Sequence, residues 1–279
     1  MKLPLYMISI LLIITGLFLS FTNLYGLNRD IRPVIHQADL RFQNDVKLTY
    51  EQALERLKKA DDEDESSYNQ RATITIADTL AHIQWNEEFD VTRYHQLIPF
   101  WENYILYLIG VLTPIPEYQK YHFADYRRSL ERGIGICGDA SMIMSQVLEK
   151  QSIDNQIVSF PGHVVVAAKQ SNGAEEMYDA DFGVHVPHSI AEINASPSLV
   201  RPFYLAQGFS VREVNTLVRS YGKKFERWNG TRHFITNKYY FEYFSYWAKW
   251  LFPLLCLILG GFLLKKSKIQ TSSSFKNVD

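Results

Sequence analysis

Three residue types that can together break an acyl bond occur in order through the middle of the chain: Cys137, His163 and Asp179. A cysteine attacks as its thiolate. An imidazole beside it holds the proton and later returns it to a leaving group, while a carboxylate on the other ring nitrogen fixes tautomer and orientation. Cys137 lies in the stretch Arg132-Gly133-Ile134-Gly135-Ile136-Cys137-Gly138-Asp139-Ala140. The residues that follow, Ser141 to Lys150, hold no Gly or Pro, and their apolar positions Met142, Ile143, Met144, Val147 and Leu148 suit a largely buried helix. A glycine-rich loop therefore runs into a helix at the cysteine. Unpaired N–H groups and the positive dipole end favour a thiolate at such a place. The Cys137 N–H is the expected first oxyanion donor. A free cysteine alone is more often a small buried hydrophobe, so the reading depends on its partners.

Those partners fall in strand-like runs. Residues 155–160, 162–169 and 175–181 are short and contain β-branched or aromatic residues, and Ser171-Asn172-Gly173 between the last two is a hairpin signal. A further short strand is expected over residues 183–187. Adjacent antiparallel strands can bring His163 and Asp179 together. Asp181 is the rival orienter, since two-residue alternation puts it on the same face as Asp179; Gly183 after it argues for a turn instead. His185 and His188 read as loop or surface residues, His122 as a candidate lining residue, and Asp139 as a helix cap.

With these residues in order, the chain resembles the transglutaminase-like cysteine hydrolases, a branch of the papain-like group. The matching pieces are Arg132 to Ala140 at a helix start, Gly162-His163 on the next strand, and Tyr178-Asp179 followed by Asp181-Phe182-Gly183. The likeness covers roughly residues 118–188. It departs where the family often has a Trp shortly after the His, here Val164 to Val166, and a Pro after the Asp, here Ala180. The resemblance implies a nucleophile helix packed on an antiparallel sheet and a Cys137, His163, Asp179 triad. No acidic calcium-binding loop is present, so the calcium dependence of animal transglutaminases is not carried over. No cofactor and no metal is expected.

The elements that must position this group lie between two apolar ends. Residues 3–21 are dominated by Leu, Ile, Met and Phe, and no charge occurs from residue 3 to 28. That run is longer than a signal-peptide core and lacks a small-x-small cleavage site, so residues 3–27 are read as a retained membrane anchor. A second span is expected over residues 244–264, with Lys249 snorkelling to an aromatic belt of Tyr239, Tyr240, Tyr243, Phe244, Tyr246, Trp247 and Trp250. Lys265, Lys266 and Lys268 mark residues 265–279 as a cytoplasmic tail, which leaves the main domain exoplasmic, in the periplasm of an inner-membrane protein.

Residues 28–116 read as a helical lead-in, with helices over about residues 49–60, 68–83 and 92–109; the last carries Tyr94, Phe100, Trp101, Tyr104 and Tyr107 as core packing. Thr113-Pro114-Ile115-Pro116 ends it, and residues 117–240 form the core with a C-terminal extension. The expected class is α+β. A net charge of -1 and the lack of a phosphate-binding glycine loop give no sign of a nucleic-acid partner. Cys137 and Cys256 are too far apart in the expected architecture for a disulfide.

The functional expectation is a membrane-anchored thiol enzyme that forms a thioester from an amide or ester, as a peptidase, amidase or acyltransferase. Its partners would be the membrane and a protein or peptide substrate, cell-envelope components included. The alternative is a non-catalytic, membrane-tethered binding or assembly component of cell-envelope or surface-polysaccharide machinery.

Overall fold

The computed structural model describes residues 2–42, 45–83 and 90–275, with side chains described within 4–267. Residues 84–89 of the expected lead-in, residues 276–279 of the expected tail and the Lys268 side chain lie outside what is described. In chain order the helices are α1 (Lys2–Gly26), α2 (Tyr50–Arg56), α3 (Glu65–Thr79), α4 (Tyr104–Leu112), α5 (Pro116–Gln119), α6 (Tyr126–Arg132) and α7 (Cys137–Lys150). Strands β1 (Asn155–Phe160), β2 (His163–Lys169), β3 (Glu175–Asp179) and β4 (Val184–Val186) follow. Then come α8 (Ile190–Ala195), α9 (Arg201–Ala206), α10 (Val211–Val218), β5 (Glu226–Trp228), α11 (Gly230–Phe234) and α12 (Thr236–Phe275). The fold is α+β, and all strand pairings are antiparallel in the order β4-β3-β2-β1-β5.

The chain divides into two compact units that interleave in sequence: Met1–Asp30, Gln96–Tyr121 and Phe241–Asp279 in one, Ile31–His95 and His122–Tyr240 in the other. The second unit holds the sheet. One sheet face presents Val166, Ala168 and Tyr178 to a layer in which Ala140, Ile143, Met144 and Val147 of α7 meet Tyr68, Ala72 and Ile76 of α3. The other presents Val158, Phe160, Val165, Ala167 and Met177 to Ile190, Ile193, Tyr204, Val214 and Leu217 of the C-terminal helices. Burial on both faces explains why β2 reads as a continuous apolar run instead of alternating with polar residues. Helices α2 and α3 therefore build the same core as the cysteine helix.

Several element limits differ from the sequence reading for local reasons. Helix α2 begins behind Thr49, whose hydroxyl accepts from Gln52 N while Gln52 Oε1 accepts from Thr49 N. Helix α3 starts early, capped by Asp64, and stops at Thr79 because Leu80 turns extended and Ala81 N donates to Gly133 O at 2.8 Å. The chain leaves that helix to brace the loop before Cys137. The helix expected over 92–109 starts only at Tyr104 and runs on to Leu112. His95 has φ 52°, Pro99 has no N–H to continue a helix, and Asn103 caps α4 through Ile105 N and Leu106 N. The last expected strand shortens to Val184–Val186, and Gly162 and Gly183 take positive φ just before β2 and β4.

In the first unit, α1 and α12 run antiparallel. Asn23 Nδ2 donates to Lys249 O at 2.6 Å, and a Cβ on Gly16 or Gly260 would come within 2.8 Å of Pro253 O or 3.0 Å of Ser9 O. Small residues at the crossing let the backbones approach. Residues Pro4–Gly26 and Thr236–Ser267 are long and apolar enough to cross a membrane, and only 22% of the most apolar window of each is buried. Tyr240, Phe244, Trp247 and Trp250 are exposed, as the aromatic belt requires. Lys249 differs from the snorkelling expectation: it is 8% exposed, and its ammonium donates to Glu102 O at 2.6 Å, satisfying the charge within the protein.

Candidate active site

Helix α7 packs on the sheet face formed by Val166, Ala168 and Tyr178, and its first residue is Cys137. His163 is the first residue of β2 and Asp179 the last of β3, so the ends of three elements converge. Register pairs Val166 with Tyr178, which puts Asp179 on the same sheet face as His163 and slightly offset from it. His163 Nε2 lies 2.7 Å from Asp179 Oδ2, and both side chains are buried. Cys137 Sγ, a His163 ring nitrogen and an Asp181 carboxylate oxygen all lie within 4.8 Å of one another. Because Nε2 is committed to Asp179, Nδ1 is the nitrogen left to face the sulfur. Cys137 is half-buried and unpaired with Cys256, as expected.

Asp179 is held from three directions. Its Oδ1 accepts from Asp181 N at 3.1 Å and Phe182 N at 3.3 Å, and its Oδ2 accepts from the Tyr204 hydroxyl as well as facing His163. Tyr221 OH stands 2.9 Å from Tyr204 OH. Burial pushes the proton affinity of both tyrosines up, which keeps their hydroxyls protonated and able to donate. On His163, burial opposes the charged form, but the Asp179 carboxylate, Tyr221 and the Cys137 sulfur outweigh it, and its pKa lies well above the ordinary value.

Asp181 is not the carboxylate that meets His163 Nε2. It lies beyond the end of β3, in the turn that Gly183 suggested, and its Oδ1 is 3.2 Å from His82 Nε2. That contact is close enough for an ion pair but off the axis of a hydrogen bond, and neither atom has a hydrogen-bond partner. Asp45 Oδ2 accepts from His82 N at 2.8 Å and sits 3.1 Å from His82 Nδ1. Burial lowers the proton affinity of His82, yet Asp181 and Asp45 raise it further, to about 10. A second charged row, Asp45, His82 and Asp181, thus ends beside the sulfur. A cleft of about 330 Å³ opens along this row, lined by Phe42, Asp45, His82, Asp181, Phe182 and Phe209 among others.

The loop before Cys137 is braced from the other side. Asp139 Oδ2 accepts from Ile136 N at 2.9 Å and sits 2.7 Å from His122 Nδ1, and Arg132 lies 4.0 Å from its other oxygen. Asp139 is therefore the cap the sequence suggested, and His122 is its partner. Burial alone would raise the Asp139 carboxyl, but His122 and Arg132 hold it below the usual value. Gly135 serves this packing: a Cβ there would come within 2.9 Å of Asp139 Cβ.

His185 is a half-buried strand residue instead of a loop residue. It lies in β4, stacks on the Tyr178 ring at 4.7 Å and 12°, and sits 2.9 Å from Glu176 Oε2. His188 lies in the bend after β4, near Phe203. Sequence reasoning missed Tyr204, Tyr221, His82 and Asp45, which lie in stretches without motif spacing; only the fold brings them to the group. No family model, no curated protein and no solved structure matches the chain.

Proposed function

We propose that the chain is a membrane-anchored thiol enzyme that cleaves or transfers acyl groups through a thioester on Cys137, with a transglutaminase-like core. The observation that carries this reading is the buried His163–Asp179 pair at 2.7 Å with the half-buried Cys137 sulfur next to it. The order of a cysteine at a helix start followed by His and Asp on adjacent antiparallel strands supports the same reading.

In this mechanism His163 holds the thiol proton on Nδ1 while Asp179 holds the ring through Nε2. The sulfur attacks the carbonyl carbon, forming the S–C bond as the carbonyl electron pair moves to oxygen. First-turn N–H groups of α7, which have no intrahelical partner, stabilise that oxyanion. The C–N or C–O bond then breaks, and His163 gives its proton to the departing amine or alcohol. Water or an amine attacks the thioester, its proton passes to His163, and the thiol returns as the acyl group leaves. Incubation with a small aryl ester should add one acyl group to Cys137 in the intact-protein mass, absent from Cys137→Ala. An unmodified wild-type protein would sink the proposal.

Both long helices are read as membrane spans. Their antiparallel packing puts residue 4 and residue 267 on one side, and Lys265 and Lys266 favour the cytoplasm for it, leaving the sheet unit exoplasmic. Protease added to intact cells or spheroplasts should reach the sheet unit and spare the lysine end. A second reading, a membrane-tethered binding component, draws on the cleft beside Asp181, whose lining does not include Cys137. On that reading Cys137→Ala would fully complement a deletion strain.

A further inference from the structure

Asp181 is 7% exposed; its Oδ1 makes no hydrogen bond and has only the His82 Nε2 contact at 3.2 Å, and one of its carboxylate oxygens sits beside a thiol and an imidazole. The Cys137 sulfur, a ring nitrogen of His163 and this carboxylate are mutually within 4.8 Å. We propose that Cys137 Sγ, His163 Nδ1 and Asp181 bind a thiophilic divalent cation, zinc above all, at a three-ligand site that closes the thiol to acyl chemistry. Tetrahedral zinc, with bonds of about 2.0–2.3 Å, needs ligand atoms roughly 3.5 Å apart, so atoms within 4.8 Å of one another have to draw in by about 1.3 Å at most.

The donor set decides the metal. A thiolate and an imidazole favour zinc and its neighbours over calcium or magnesium, which take oxygen ligands. Two of the three ligands also have the outer support such sites use. Asp179 grips the far nitrogen of His163 in a carboxylate–histidine arrangement, and the His82–Asp45 pair backs the Asp181 carboxylate. Cys137 is half-buried, so solvent reaches the residue that would carry the sulfur ligand. The metal–sulfur bond replaces one proton, lost to solvent from the sulfur or from His163 Nδ1. No metal spacing is visible in the sequence because the three ligands come from a helix start, a strand start and a turn.

Binding is independent of the enzyme reading; the closing of the thiol rests on it. Full-length chain in detergent is titrated with Co²⁺ alone, then with Zn²⁺ as competitor. The expected result is a thiolate-to-cobalt charge-transfer band, one proton released per cation, and bleaching of the band by zinc. Asp181→Asn and His163→Gln should each weaken binding at least about tenfold, and Cys137→Ser should abolish the band. As a measurement on unaltered protein, stoichiometric zinc should slow alkylation of Cys137 at least about tenfold. No band together with unslowed alkylation overturns the site, as does a band unchanged in Asp181→Asn. Without a band, acylation of Cys137 by an ester would leave the enzyme reading standing; a band on a Cys137 that no ester acylates would leave only the metal site.

Discussion

His163 and Tyr204 share one carboxylate oxygen, Oδ2 of Asp179. The imidazole and the phenol reach it from β2 and α9, so the His163–Asp179 pair is tied to the helical layer on the far side of the sheet from Cys137. Removing the phenol oxygen leaves Asp179 and Tyr221 each one partner short. Tyr204→Phe should cost about 1–2 kcal/mol of unfolding free energy and slow Cys137 acylation several-fold, measured by urea denaturation and stopped-flow acylation.

Asp179 ends β3 and Asp181 lies in the turn after it, and their substitutions should differ in effect. Asp179→Asn should slow acylation by at least about 10²-fold, since the amide presents the wrong group to His163. Asp181→Asn, in zinc-free buffer, should slow it at least ten times less. Equal losses would return Asp181 to the orienting role.

His82 offers a pH test with a defined sign. Its folded pKa is about 10, above the ordinary 6.5, so its stabilisation is complete below about pH 6.5 and is lost as pH rises through 10. Wild type should lose up to about 4 kcal/mol of stability across that window relative to His82→Gln. Thermal melts of both proteins from pH 6.5 to 10 check it, and parallel curves would contradict it.

On the acid side, Asp139 acts in the opposite sense. Its carboxyl lies below the usual value, so its contribution is present above about pH 4 and lost as pH falls through the folded value. Asp139→Asn should destabilise by about 1–3 kcal/mol at pH 7, with the gap closing in strong acid. Chemical denaturation at pH 7 and pH 3 makes the comparison.

Much of this arrangement was legible in the chain itself. The apolar residues after Cys137, the Ser171-Asn172-Gly173 turn and the β-branched runs specified a helix and a meander, and these set where His163 and Asp179 lie. Less legible was anything governed by distant partners. An aromatic run over residues 92–109 reads as helix by composition, yet Pro99 and the Asn103 cap shorten it. His185 looks like a turn residue until the register stacks it on Tyr178. Tyr204 and His82 approach the site from segments 25 residues after Asp179 and nearly 100 before it, with no periodicity to announce them.

The central claim is that His163, held by Asp179, makes the Cys137 sulfur a nucleophile at neutral pH. The direct measurement is the rate of Cys137 alkylation by iodoacetamide from pH 5 to 10, in wild type and in His163→Gln. Cys256 is buried in α12 and serves as the internal reference. Wild type should react at least about ten times faster than the variant at pH 6, with the two rates converging above about pH 9, where an ordinary thiol is ionised. Superimposable profiles rising only near pH 8.5 would contradict the account.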